Sequence, residues 1–236
     1  MATIKKPYFL TLLATCCSLL CMGQIYTDLK DQGYRGPAKL ITTKFYSDIS
    51  YKNKRWTVND SLHPNTILSE HFNKQGNLTL KEINTVYDTS RVKFEYKGDT
   101  KSGWTKKDKK GIILETAKLM YETPGKFKEI ISDFSDSSKT ELTYSLDNTG
   151  RTKKLEEISY DSKGAITYHL VSKNEDDRDG KYWRIVNENK LTNETDIFYF
   201  TFLAKDKQNN PTTVLVKKNE VVIAIRLVSF IYNTEK

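Results

Sequence analysis

The sequence predicts an all-β fold: a large antiparallel meander that forms an open twisted sheet or a half-barrel from successive hairpins. Two observations predict it. Apolar and polar residues alternate with a period of two along many segments, and polar turns that contain glycine separate these segments. The apolar set is also rich in residue types that favour strands, with 14 Tyr and 10 Phe among 236 residues.

Several strands can be assigned from this pattern. Alternation is clearest at 141–146, 165–170 and 197–202, and a first strand is expected from Ala38 to Tyr46. The last apolar run, Val221 to Tyr232, is nearly continuous. It predicts a strand that is buried on both faces or that contains a bulge.

The turns between these strands share one form: a large apolar residue, three mostly polar residues, Gly and one variable residue. A short hairpin loop often places one residue at positive φ, where Gly has no steric cost, and an Asn or Asp at the start can bond the following amides. Each unit therefore predicts a hairpin corner. Full copies contain Gly76, Gly125, Gly150 and Gly164, and degenerate copies occur at 87–91 and 205–211.

One of these turns carries a resemblance to a known family. The run Tyr160-Asp161-Ser162-Lys163-Gly164, followed by Tyr168, resembles the repeats of YD-repeat or Rhs-like β-hairpin proteins exported by Gram-negative bacteria. The segment 33–39, ahead of Phe45 and Tyr46, is similar to the start of small exported bacterial proteins with such hairpins. The resemblance implies a β meander and no activity, because such repeats are a scaffold.

Residues 1–23 are predicted to be a cleavable secretory signal. Lys5 and Lys6 precede an apolar run at 8–20, and small residues at 21 and 23 suit cleavage before Gln24. The run is shorter than the roughly 20 apolar residues that a transmembrane helix needs. We therefore expect an exported protein with a single antiparallel β domain at 24–236, located in the periplasm, at the outer membrane or outside the cell.

A lipoprotein signal is the alternative for the same segment. Lipidation of Cys16 or Cys21 would anchor the protein peripherally to a membrane. Thr15 and Leu20, however, stand where a lipobox has a small residue. Simple cleavage is therefore the preferred prediction, and membrane association is expected only with lipidation.

Cysteine content and charge exclude several classes of protein. All three Cys residues lie within 1–23, so 24–236 has neither a disulfide nor a thiol nucleophile nor a Cys-ligated zinc site. Without Lys5 and Lys6 the chain has 36 basic and 30 acidic residues. This mild excess, together with the export signal, argues against nucleic acid as a partner.

One dense basic cluster is a candidate binding loop. It lies in 96–111, where Gly98, Gly103 and Gly111 also occur, and it could attract an anionic polymer or a lipid headgroup. The alternative is a plain solvated loop, because charge runs usually are solvated. The candidate residues are Lys101, Trp104, Lys106, Lys107, Lys109 and Lys110.

No catalytic or metal-binding motif is present. His63, His71 and His169 lack the spacing of a metal site, and the chain has no Gly-x-Ser-x-Gly elbow. Glu156 and Glu157 are adjacent on a predicted strand and should point to opposite faces, so they do not form a catalytic carboxylate pair. We predict no catalytic residue, no cofactor and no metal.

The acidic run 175–180 is similar to the opening of a calcium loop. Its twelfth position is Val186, where a calcium loop has a bidentate Glu. We therefore expect an acidic hairpin tip at this point.

The expected function is that of a non-enzymatic exported module, for binding or for structure, in the cell envelope. Its sheet would offer aromatic and Lys side chains to a glycan, a lipid or an envelope protein. The first alternative is a half-barrel carrier of lipid or acyl chains, suggested by the apolar runs 197–203 and 221–232. A hydrolase is the least favoured alternative.

Overall fold

The structure is a computed structural model, which describes residues 28, 32, 34–58, 63–123, 125–147, 150–176 and 182–233. The predicted signal at 1–23, with all three Cys residues, lies outside the described residues. Within these ranges the chain forms sixteen β-strands. They are β1 Ala38–Tyr46, β2 Ile49–Lys52, β3 Arg55–Val58, β4 Thr66–Phe72, β5 Leu78–Thr85, β6 Thr89–Lys97, β7 Thr100–Asp108, β8 Ile113–Thr123, β9 Lys126–Asp133, β10 Lys139–Leu146, β11 Thr152–Tyr160, β12 Ile166–Asp176, β13 Tyr182–Asn189, β14 Thr195–Lys205, β15 Pro211–Lys218 and β16 Val221–Tyr232.

Fourteen of these strands, β1 and β4 to β16, form a closed antiparallel barrel in which consecutive strands are neighbours. β1 closes it by pairing with β16 on one side and with β4 on the other, so that Thr42 lies opposite both Ser229 and Ser69. The predicted antiparallel all-β meander is confirmed. The predicted open sheet or half-barrel is wrong, because this pairing of β1 satisfies the backbone groups that two free edges would leave exposed.

One short hairpin is not hydrogen-bonded into the barrel sheet, although β2 contacts β16. Strands β2 and β3 form a two-stranded sheet between β1 and β4, with Lys52 opposite Arg55. The turn residues Asn53 and Lys54 have φ of 52° and 62°, as a two-residue hairpin turn with right-handed strand twist requires.

The predicted corners at Gly76, Gly125, Gly150 and Gly164 are confirmed, because each lies between consecutive strands. The corner at Asp161 shows how the turn is held. The backbone amide of Asp161 donates to the carbonyl of Ala165 at 2.9 Å, and the Asp161 carboxylate accepts from the amides of Lys163 and Ala165. The Asp or Asn at the start thus bonds the amides that the turn would otherwise leave unpaired.

The same bonding pattern recurs at corners that begin with Asn73, Asp108 and Asp206. The Asp108 corner is absent from the sequence-based predictions, which placed a long loop there. Its Asp-x-x-Gly form, ending at Gly111 with φ of 85°, is the signal that could have identified it.

Substitution of Gly164 by Ala is expected to lower the free energy of unfolding by about 1 kcal/mol. Gly164 has φ of 83°, and a Cβ there would meet no atom within 4 Å, so the cost is backbone strain alone. Gly125 is the matched control, because its φ lies outside the left-handed region and its Cβ would only touch the Leu146 carbonyl at 3.9 Å. Urea unfolding should show a loss for Gly164→Ala and none for Gly125→Ala; equal losses would contradict the explanation.

Strand alternation turns many large apolar side chains into the barrel, and the outer face carries both charged residues and exposed apolar ones such as Leu203 and Ile231. Phe94, Phe127, Leu142, Phe198 and Phe200 belong to one buried core cluster. On the outer face of β5 to β13, ion pairs join Glu82 to Arg91, Lys139 to Glu141, Lys154 to Glu156 and Lys173 to Glu188.

The run 221–232 forms one strand, β16, and of the two predicted alternatives the bulge is confirmed, because Ile223 is an extra residue opposite Val216 and Lys217. Both of its faces are buried only near its centre, at Ile225 and Arg226, whereas Ile231 is exposed. In the part of the chain that the structure describes, no helix has the length and apolar character needed to cross a membrane.

Candidate functional site

A pocket of about 280 Å³ in the barrel, partly open to solvent, is the candidate functional site and is called the cavity below. Seven consecutive strands, β5 to β11, contribute inward-facing side chains to its wall. The apolar part of the wall is Ile83, Val92, Phe94, Trp104, Ile131 and Leu142. The ionisable part is Lys81, Lys106, Glu115, Glu129, Asp133 and Glu157.

The two-residue period of β11 places Glu157 in this cavity. Leu155, two residues earlier, is buried in the core, and Glu156 between them faces outward, where its carboxylate lies 3.0 Å from Nε2 of His169. The prediction that Glu156 and Glu157 face opposite sides is therefore confirmed. On the next strand, β12, Leu170 is likewise buried, whereas His169 faces outward beside Glu156.

Glu157 has no polar partner among the described residues. Its cross-strand neighbours are Leu142 on β10 and Leu170 on β12, neither of which offers a side-chain donor. Burial raises the pKa of Glu157 from 4.5 to about 7. The cavity therefore holds one carboxyl group that changes charge near neutral pH and whose oxygens are free to accept a ligand.

Glu129 is the second inward carboxylate, and each of its two oxygens accepts a hydrogen bond. Its side chain accepts hydrogen bonds from Nε1 of Trp104 and, at 3.0 Å, from the hydroxyl of Tyr144. Burial raises the pKa of Glu129, while these two donors oppose the rise. The bond to Glu129 also holds the indole of Trp104 in place against the cavity.

The remaining charges of the cavity are paired. Lys106 binds the carboxylate of Glu115, and Nζ of Lys81 lies 3.7 Å from the carboxylate of Glu70. Asp133 accepts from the amide and the hydroxyl of Ser135 at the β9–β10 turn. Glu157 is therefore the cavity carboxyl that lacks both a cation and a hydrogen-bond donor.

Two residues ahead of β1, Asp28 and Tyr34, contact the barrel at the end opposite to that turn. Asp28, at the start of the described chain, accepts from the amide of Leu78 at 2.6 Å and from the hydroxyl of Tyr96 at 2.8 Å. Its carboxylate also lies 3.4 Å from Nζ of Lys101, and the side chains of both residues are 1% exposed. Tyr34 packs against Phe230 with ring centroids 5.2 Å apart.

The predicted binding loop at 96–111 is not a loop, because β7 runs through it. A bulge at Ser102 puts Lys101 on the same inward face of β7 as Trp104 and Lys106. Lys101 and Trp104 are 1% and 9% exposed, and Lys106 lines the cavity. The six residues therefore do not form one surface.

The outward part of that cluster is smaller than predicted. Lys107 is exposed on β7, and Lys109 and Lys110 are exposed in the turn that follows. Binding of an anionic partner by these three residues stays a prediction.

The other residues singled out in the sequence do not gather at one site. His71 lies outside the barrel beside Glu82, at 3.5 Å, and His169 lies beside Glu156. Within the described ranges, no three His, Cys, Asp or Glu side chains converge as metal ligands do. Most of the acidic tip at 175–180 lies outside the described residues.

Comparisons with known proteins do not identify a family. No protein-family model matches the chain, and no curated protein matches it. Among solved structures, the chain is similar to a porin-like protein from Bacteroides uniformis ATCC 8492, with 10% sequence identity and a TM-score of 0.43. The match covers 83% of this chain and 96% of that chain. So loose a likeness does not bear on function, which has to be inferred from the cavity.

Proposed function

We propose that this protein is a non-enzymatic β-barrel that binds a small molecule in its partly open cavity. The observation that carries the proposal is the cavity of about 280 Å³, whose walls are largely apolar and which contains one unpartnered carboxyl, Glu157. Ligand sites commonly combine apolar walls with a few polar groups that orient the ligand. An apolar cavity of about 150 Å³ holds benzene, so this one has room for a ligand with a single ring.

The arrangement of the cavity supports binding over hydrolysis. Hydrolytic acid–base catalysis needs two groups with separate roles. Among the cavity residues Glu129 is engaged by two donors, Glu115 by Lys106 and Asp133 by the Ser135 turn. Glu157 therefore has no second free carboxyl group in the cavity that could act with it as acid or base.

The size of the cavity and the packing of the barrel disfavour an acyl-chain carrier. The apolar runs 197–203 and 221–232, which suggested a carrier, are strands of the closed barrel wall. Their inward side chains, such as Phe198, Phe200 and Val228, fill the core. The cavity lies against β5 to β11 instead, and its volume equals that of about nine water molecules at roughly 30 Å³ each.

We also propose that the protein works in the cell envelope or outside the cell. This part rests on the signal-like order of residues 1–23. The outward ion pairs on β5 to β13 suit a barrel surrounded by water. A glycan, lipid or envelope partner for that outer surface stays a prediction.

Filling the cavity tests the proposal. Compounds from a small-molecule library are first selected because they raise the Tm of the purified protein. Ile131→Trp should abolish that rise, because Ile131 lines the cavity. Ile130→Trp is the matched control, since Ile130 is the neighbour on the outer face of β9 and should leave the rise unchanged.

Two checks keep this experiment decisive. Overpacking costs about 1–3 kcal/mol, so Ile131→Phe serves as a milder filling variant, and circular dichroism confirms that each variant is folded. A library that contains no stabilising compound would contradict the proposal, as would compounds that stabilise the Ile131 variants as much as the wild type.

A further inference from the structure

We infer that the cavity ligand is a small organic cation, with an ammonium group bound by Glu157 and an apolar body of about one ring against Trp104 and Phe94. This inference rests on the proposed function, since it assigns a chemical class to the same ligand. Three features support it: the charge balance of the cavity, the unpartnered state of Glu157 and the nature of the surrounding wall.

The charge balance of the cavity favours a cation. Its wall contains two lysines and four carboxyl groups. Both lysines already have carboxylate partners: Lys106 pairs with Glu115, and Lys81 pairs with Glu70. An anionic ligand would meet no free cation in the wall and several carboxylates, so it would be repelled.

Glu157 is the carboxyl group of the cavity that a ligand cation would pair with. Glu129 and Asp133 receive hydrogen bonds from neighbouring side chains or backbone, whereas Glu157 receives none from any described residue. Removing an ionised carboxylate from water without a partner is costly, and an opposite charge with hydrogen-bond donors offsets the cost. A ligand ammonium supplies both the charge and the donors.

The wall near Glu157 suits the rest of such a ligand. Leu142 and Leu170 flank Glu157, and Phe94 and Trp104 line the same space. An ammonium group is attracted to aromatic faces, Trp above all, and the apolar body gains from burial against the same rings. A neutral alcohol could donate one hydrogen bond to Glu157, but it would not neutralise the carboxylate.

Three ligands of matched shape test the inference: benzylamine, benzyl alcohol and benzoate. Isothermal titration calorimetry at pH 8 should give the highest affinity for benzylamine, by about tenfold or more over benzyl alcohol. Benzoate should bind most weakly. The advantage of benzylamine over benzyl alcohol should shrink between pH 8 and pH 6, as Glu157 takes up its proton.

Variants at neighbouring positions assign the preference to Glu157. Glu157→Gln should lower the affinity for benzylamine about tenfold and lower that for benzyl alcohol much less, since Gln still accepts a hydrogen bond; circular dichroism checks that the variant is folded. Glu157→Asp should keep part of the preference for the amine. Glu156→Gln removes the outward carboxyl of the adjacent residue and should change none of the affinities.

Failure of this inference differs from failure of the proposed function. If benzyl alcohol or benzoate binds as tightly as benzylamine, or if Glu157→Gln keeps the preference for the amine, the cation is excluded while binding in the cavity stands. Should library ligands that Ile131→Trp blocks prove to be neutral or anionic, the same conclusion holds. If no compound of any charge binds, both proposals fail.

Discussion

Replacing Lys101 by Met is expected to lower the free energy of unfolding by about 3–5 kcal/mol. Lys101 lies inside the barrel with its Nζ 3.4 Å from the carboxylate of Asp28, and both side chains are almost completely buried. Met fills a similar volume, so the main change is the loss of charge. Asp28 is then left as a buried carboxylate without its cation, although Leu78 and Tyr96 still donate to it.

The measurement is urea unfolding of the wild type and the variant at neutral pH. Lys107→Met is the matched control, since Lys107 belongs to the same strand and the same basic cluster but is exposed, and its replacement should change the unfolding free energy by less than about 0.5 kcal/mol. The double variant Asp28→Asn with Lys101→Met should recover part of the loss, because no unpaired charge remains. Equal effects of Lys101→Met and Lys107→Met would contradict the buried pair.

Glu157→Gln is expected to stabilise the protein by about 3 kcal/mol at pH 8 and to have little effect at pH 4. The pKa of Glu157 is about 7 in the folded protein, against 4.5 without burial. Between these values the folded state binds more protons than the unfolded state, so the stability contribution of Glu157 is fully present below about pH 4.5 and is lost as pH rises to about 7. Gln cannot ionise and avoids that loss.

Urea unfolding at pH 4, 6 and 8 measures this difference. The gain of Glu157→Gln over the wild type should grow with pH and level off above pH 7. The control is Glu156→Gln, for which we expect no gain at pH 8, because its carboxylate is stabilised outside the barrel by His169 and the pKa of Glu156 is lowered. A gain for Glu157→Gln that is independent of pH would show that ionisation is not its cause.

The corners at Gly76 and Gly164 were predictable, because each depends on a few consecutive residues: a positive φ and an Asn or Asp that bonds nearby amides. The opposite orientation of Glu156 and Glu157 was predictable for the same reason, since strand periodicity is local. The burial of Lys101 was not predictable from alternation, because a bulge at Ser102 puts Lys101 on the same face of β7 as Trp104 and Lys106.

Local sequence thus determined the antiparallel meander, the positions of five strands (β1, β10, β12, β14 and β16) and the turns at four glycines, since these follow from backbone preferences over spans of a few residues. Only the tertiary structure decided that the sheet closes, because closure depends on β1 meeting β16, with Thr42 opposite Ser229 at the other end of the chain. Closure in turn decides which face of each strand is inside. For that reason the burial of Lys101 with Asp28, and the isolation of Glu157 in a cavity formed by seven strands, could not be predicted from any one segment.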